Sequence, residues 1–144
     1  AGGIASGEAM LAAMALGAEG IQAGTLFALT EESSASKEFK KRCTELAEGD
    51  TMLCLKKIAP TRLIKNALYT KLAEAEDKGA TADELREILG RAASKRGIFE
   101  GDMESGELEI GQIASAIKTI KPVSEVMKEL ISGFEKAKER VAFL

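Results

Sequence analysis

The sequence predicts an α/β fold, and three observations carry that expectation. Ala1-Gly2-Gly3-Ile4 reads as the last residues of a buried strand and its loop, and Gly20-Ile21-Gln22-Ala23-Gly24-Thr25 repeats the same form further on. Between them Ser6 offers an N-cap, Glu8 sits in the first turn, and Ala9 to Leu16 is apolar until Gly17 stops it. From Ser36 onward the pattern changes to helical periodicity. Strand end, helix, strand and loop make a βαβ rhythm, which implies parallel strands.

Taken in order, the first helix is apolar on every face, which suits an element packed on both sides. Ala18 to Ala23 follows as a short strand with Ile21 central, Gly24-Thr25 closes it, and Leu26 to Leu29 stays apolar as far as the acidic turn at Glu31-Glu32. Two parallel strands do not make a stable sheet, and such sheets are covered on both faces. The rhythm is therefore expected to be a fragment: either the chain pairs with another, or a front part has been lost. A start on a Gly-Gly corner without an initiator Met favours loss.

The remainder reads as helices with one extended interruption. Ser36 caps a helix with Phe39, Cys43 and Leu46 on one face, ending at Gly49; Thr51 to Leu55 is β-branched and apolar, short enough for a strand. Pro60 is expected to start the next helix, with Leu63, Ile64, Ala67, Leu68, Leu72 and Ala75 as its stripe and Gly79 as its stop. Thr81-Ala82-Asp83-Glu84 is a capping box, opening a helix with Leu85, Ile88, Leu89 and Ala92 inward and an end near Gly97. A glycine-bounded acidic turn at Gly101 to Gly106 precedes a short helix over Glu109 to Ile117. Pro122 then opens a last helix, with Val123, Val126, Met127, Leu130, Ile131, Phe134, Ala137 and Val141 at helical steps and no clear cap at Leu144.

Composition excludes several function classes. With 144 residues, 45% hydrophobic and 30% charged, the chain has the make-up of an ordinary globular domain. Its net charge of −3 comes from 20 basic residues dispersed among 23 acidic ones, so no electrostatic footprint for nucleic acid or an anionic membrane exists. No apolar run approaches a bilayer span, and a cytoplasmic location is expected. The count of histidines is 0, which removes a His-containing triad, a His-ligated zinc and an imidazole base from this chain. Cys43 and Cys54 read as buried thiols.

The motifs that could carry chemistry are few. Each glycine corner is either a tight strand-to-helix turn or an anion site, where backbone N–H groups converge at a helix N-terminus. Lys56, Lys57, Arg62 and Lys65 form a local basic group, read either as a solvated face or as a contact for a phosphorylated ligand. The turn at Asp102 to Glu107 lacks the alternating oxygen ligands of a calcium loop and reads as a solvated turn; no metal site is expected. Gln112, after Gly111, is polar inside an apolar run, as a helix-start hydrogen bond or a cofactor contact. Tyr69 reads as an amphipathic helix residue.

These residues also carry a resemblance. The run Ala1-Gly2-Gly3-Ile4-Ala5-Ser6-Gly7, then Leu16-Gly17-Ala18-Glu19-Gly20-Ile21-Gln22-Ala23-Gly24-Thr25-Leu26-Phe27 and Glu31-Glu32-Ser33, resembles the last two strand–loop units of the FMN-dependent barrel family that holds nitronate monooxygenase (2-nitropropane dioxygenase) and the flavin-type enoyl-acyl carrier protein reductase. It continues through Arg62-Leu63-Ile64-Lys65-Asn66, Gly101 to Gly106 and Gly111-Gln112 to Ile120-Lys121-Pro122, and so covers nearly the whole chain in order.

The resemblance implies the C-terminal part of an FMN-binding (β/α)8 TIM barrel, with residues 1–35 as barrel end and 36–144 as a mostly helical appendage. FMN phosphate sites in such barrels lie on the late strand loops. Carried over residue by residue, Gly2 and Gly3 would donate N–H groups from one loop, Gly24 and Thr25 from the next, and Gln112 would lie near the flavin. No catalytic residue is expected here, because the family's active-site histidine lies earlier in the chain. Relatives often have Arg after the Gly-Thr pair and His in the following Glu-Ser segment, where this chain has Leu26 and Ser36; either change could remove a ligand contact.

The expected function is that of a fragment of an FMN-dependent oxidoreductase, an NAD(P)H-dependent enoyl-acyl carrier protein reductase acting on a small-molecule or acyl-thioester substrate. The alternatives are oxidation of alkyl nitronates with dioxygen and, in another class, a non-catalytic helical interaction module. A homodimer and the missing N-terminal half of the barrel stand as expected partners.

Overall fold

A computed structural model of the chain describes residues 1–142. Its elements are α1 (Gly7–Ala15), α2 (Gly24–Ala28), α3 (Lys37–Thr44), β1 (Thr51–Cys54), β2 (Thr61–Ile64), α4 (Ala67–Asp77), α5 (Ala82–Leu89) and α6 (Val123–Val141). A π-helical turn at Lys95–Phe99 and a 3-10 helix at Gln112–Ala116 lie between α5 and α6.

The caps form where the sequence placed them, because each is a local bond between a short polar side chain and an N–H three residues on. The Ala9 N–H donates to Ser6 Oγ at 3.2 Å and the Phe39 N–H to Ser36 Oγ at 3.2 Å. At Thr81 both halves of the capping box are made, the Thr81 N–H donating to Glu84 Oε2 at 2.7 Å.

Several expectations are corrected. Ala18 to Ala23 is not a strand: among the described residues it pairs with no other strand, and the segment runs directly into α2. Ala1 to Ile4 is likewise unpaired, with Gly2 at φ +86 and Gly3 at φ +70 turning the chain. The βαβ rhythm is thus present as helices and extended links without parallel pairing. The helix expected from Pro60 is strand β2, antiparallel to β1 with Thr51 opposite Ile64 and Cys54 opposite Thr61. Helix α4 starts only at Ala67, where Asn66 caps it by accepting from the Tyr69 N–H at 2.9 Å.

Other ends move as well. α3 stops at Thr44 rather than Gly49, and α5 stops at Leu89 because Gly90 takes φ +71. Ala92 is exposed at φ +54, and Ile88 is 36% exposed, so neither points inward. The helix expected over Glu109 to Ile117 shrinks to the 3-10 turn, while Glu109 bridges to Leu63 instead. The uncapped end expected at Leu144 lies outside the described residues.

Two cores share one strand. Leu29, Phe39, Cys43, Leu46, Ile64, Leu108, Ile110 and Ala114 make the first; Cys54, Leu55, Leu63, Leu68, Leu72, Leu85 and Ala93 make the second. Successive side chains on a strand face opposite ways, so β2 sends Ile64 into one core and Leu63 into the other.

α1 packs along α6, and the crossing is glycine to glycine. A Cβ on Gly7 would lie 2.0 Å from Phe134 N, and one on Gly133 would touch Gly7 at 3.4 Å. The expectation that α1 is covered on both sides fails: Gly7 alone in it is buried, and Leu16, just past its end, is 91% exposed. On α6, Val126, Leu130 and Ala137 are buried while Met127, Ile131 and Val141 stay exposed. Its uncapped start is closed from afar, since the Val123 N–H donates to the Glu32 carboxylate at 3.0 and 2.9 Å.

Candidate functional site

The two glycine corners differ in what their helices leave open. At α1 the first turn is already supplied with acceptors: Ser6 takes the Ala9 N–H, and the Glu8 carboxyl is held below its ordinary range first by a backbone N–H and then by Ser6. At α2 the N-cap is Ala23, which has no side chain that can accept. The first N–H groups of α2, from Gly24 and Thr25, are therefore left without a side-chain cap. A Cβ at Gly24 would meet nothing within 4 Å, so the backbone is accessible there.

The structure brings three of the five expected ligand positions together. Thr25 Oγ1 accepts from the Gly111 N–H at 3.1 Å, which sets Gly111 and the adjoining Gln112 beside the Gly24-Thr25 corner across a separation of 86 residues. Gln112 opens the 3-10 helix and is exposed. Gly2 and Gly3 are not brought against this group; both are exposed, and a Cβ at either would meet nothing within 4 Å.

Next to the corner a cleft of about 540 Å³ joins the helices that follow both glycine runs. Ser6 and Gly7 line one side, Leu26 and Leu29 another, and Leu130 and Gly133 the α6 wall. Lys118, Lys121 and Lys136 border it together with Glu8 and Glu129. Lys121 pairs with Glu129 and, at 3.3 Å, with Glu125, and Glu129 first of all raises its pKa. Lys118 Nζ donates to the Leu46 carbonyl at 2.5 Å. Leu26, the position where relatives often carry Arg, is a half-buried wall of this cleft, and Ser36 is spent on capping α3.

Other candidates resolve into structure. Lys57 Nζ donates to the carbonyls of Gly79 at 2.9 Å and Ala80 at 2.6 Å, and Arg62 to that of Thr51 at 3.0 Å, so half of the basic group fastens loops. Asp102 Oδ1 accepts from Glu104 and Ser105 N–H groups at 3.1 and 2.8 Å, closing the acidic turn on itself. Tyr69 packs against the second core, and burial first of all raises its pKa. Both cysteines are buried and free.

The helices and small antiparallel sheet match the C-terminal part of known α/β barrel proteins, as the comparisons show. The chain belongs to the nitronate monooxygenase family, whose model, described as "Nitronate monooxygenase", matches residues 1–133. It is 35% identical over 101 residues to a probable nitronate monooxygenase of Staphylococcus saprophyticus, covering 67% of this chain and 28% of that protein. A probable nitronate monooxygenase of Staphylococcus aureus strain JH9 is 30% identical over 136 residues, covering 92% of this chain and 37% of the relative. Among solved structures, FabK from Thermotoga maritima superposes with a TM-score of 0.89 at 32% identity, over 98% of this chain and 45% of that one. Nitroalkane oxidase from Streptomyces ansochromogenes superposes at 0.71 and 25% identity, over 97% and 40%. The chain thus spans less than half the length of each of these relatives.

Proposed function

We propose that this chain is the phosphate-gripping part of an FMN-dependent oxidoreductase, and that the protein reduces an enoyl thioester on acyl carrier protein with NAD(P)H. The observation that carries the flavin reading is the uncapped start of α2 with Gly111-Gln112 fastened beside it. Its chemistry suits a phosphate: N–H groups without a side-chain cap, a glycine with open space around it, and a helix N-terminus. Gly24 and Thr25 would donate backbone N–H groups to that phosphate and Gln112 would meet the flavin side of the ligand, while Gly2 and Gly3, which stand apart from this group, are given no part in the grip. FMN, when bound, supplies hydride transfer between NAD(P)H and the substrate. This chain's residues hold and orient; with no histidine among them, a proton donor or base of that kind comes from outside it.

The likeness to FabK, with a TM-score of 0.89 against 0.71 for nitroalkane oxidase, favours the reductase. A second reading, oxidation of alkyl nitronates with dioxygen, is favoured by the curated relatives, both described as probable nitronate monooxygenases. Anaerobic mixing of the full-length protein with NADH and an enoyl thioester tests the first. Bleaching of the flavin by NADH and its recovery with the thioester are expected, and a flavin that NADH leaves oxidised sinks it. Oxygen uptake with an alkyl nitronate in air supports the second. Full-length protein that stays colourless with added FMN leaves only a helical interaction module.

A further inference from the structure

We propose that Thr25 is a positioning residue that acts through Gly111, so that occupancy of the Gly24-Thr25 corner and the placement of Gln112 are one event. The inference rests on the FMN reading and deepens it. Gly111 has φ −70 and ψ 152, an extended conformation open to any residue, so its backbone does not call for glycine. What calls for glycine is one atom. A Cβ on Gly111 would lie 2.5 Å from Thr25 Oγ1 and 3.6 Å from Thr25 Cβ, and would touch nothing else within 4 Å. The same hydroxyl accepts the Gly111 N–H at 3.1 Å.

Thr25 and Gly111 are thus a matched pair, the missing side chain of one making room for the hydroxyl of the other. That bond fastens the first turn of α2 to the first turn of the 3-10 helix that begins at Gln112. A ligand that orders the N–H groups of Gly24 and Thr25 also orders Gly111, and through it the residue next in line. Thr25 acts in two ways: its N–H belongs to the uncapped first turn of α2, and its side chain, turned to Gly111, transmits the position.

The test uses full-length protein, FMN titrated by quenching of flavin fluorescence, and hydrogen exchange over the peptide spanning residues 111–116. Thr25→Val keeps the shape and removes the acceptor; it should weaken FMN binding about tenfold and abolish the slowing of exchange that FMN causes in the wild type. Thr25→Ser, which keeps the hydroxyl, should restore both to within about twofold. Gly111→Ala should weaken binding about tenfold alone yet add nothing in the Thr25→Ala background, where the clashing atom is gone. Full FMN affinity and FMN-induced protection in Thr25→Val, or equal losses from Gly111→Ala in both backgrounds, overturn the proposal. Wild-type protein that binds no FMN overturns the cofactor reading and takes the inference with it; binding with unchanged Thr25→Val overturns the inference alone.

Discussion

Asn66 makes three bonds with one side chain. It accepts from the Tyr69 N–H, and its Nδ2 donates to the carbonyls of Met103 at 3.0 Å and Gly106 at 2.9 Å, so the cap of α4 and the acidic turn are fastened together. Asn66→Ala should cost about 3 kcal/mol, from a lost cap and two carbonyls left short of a donor, read as a fall in urea midpoint. Asn66→Asp keeps the acceptor and loses the donors, so it should not rescue. The thiols give a pH dependence. Burial pushes Cys43 up to about 12 and Cys54 up to about 11 from an ordinary 9.0, Cys54 helped by the hydrogen bond from its Sγ to Glu76 Oε2 at 3.3 Å. An acid whose pKa rises on folding keeps its proton longer in the folded state. Their stabilisation is therefore complete below the unfolded value and lost as pH climbs through the folded one. Unfolding free energy should fall between about pH 9 and about pH 12, and Cys43→Ala should flatten that fall. At residue scale the sequence was informative where bonds are local: Ser6, Ser36, Thr81 and the buried cysteines were all legible. Asn66 was not, because two of its partners lie in a turn that only the fold brings near.

At the scale of elements, close approach decides. Gly7 on α1 meets the backbone of α6, a Cβ there falling 2.0 Å from Phe134 N, 2.3 Å from Gly133 C and 2.5 Å from Leu130 O. Alanine is the better helix former by about 1 kcal/mol, yet backbone cannot yield as a side chain can. Gly7→Ala should destabilise by about 3 kcal/mol, and circular dichroism melting would show the lower midpoint. The element errors made from sequence have a common cause. Thr61 to Ile64 became a strand because Thr51 to Cys54 offers it a partner, and pairing outweighs the helix start that Pro60 suggests. Ala18 to Ala23 went the other way: extended by pattern, it found no partner among the described residues. The Glu32 cap on α6 joins positions 91 residues apart, which no local pattern announces.

For the whole molecule, exposed apolar side chains are the main liability. Leu16 at 91%, Ile131 at 53% and Phe99 at 51% exposure stand outside both cores. The isolated polypeptide of residues 1–144 should self-associate, light scattering after size exclusion showing mass that rises with concentration; Leu16→Glu with Ile131→Glu should lower it. Weak FMN binding is expected from the same polypeptide, since its extended segments lack the neighbours that would hold the corners still. The sequence pointed to Gly2, Gly3, Gly24, Thr25 and Gln112 as candidates, but not to the bond from the Gly111 N–H to the Thr25 hydroxyl, since nothing in Gly24-Thr25 points to Gly111. Strand β2 has a last consequence, one of heat rather than shape. A core that melts must release either Leu63 or Ile64, and the peptide between them leaves neither free to stay behind. Calorimetry should show one absorption peak whose calorimetric and van't Hoff enthalpies agree. Leu63→Ala and Ile64→Ala should each shift that peak downward whole, by the roughly ten degrees that about 3 kcal/mol commands in a domain of this size, without splitting it in two.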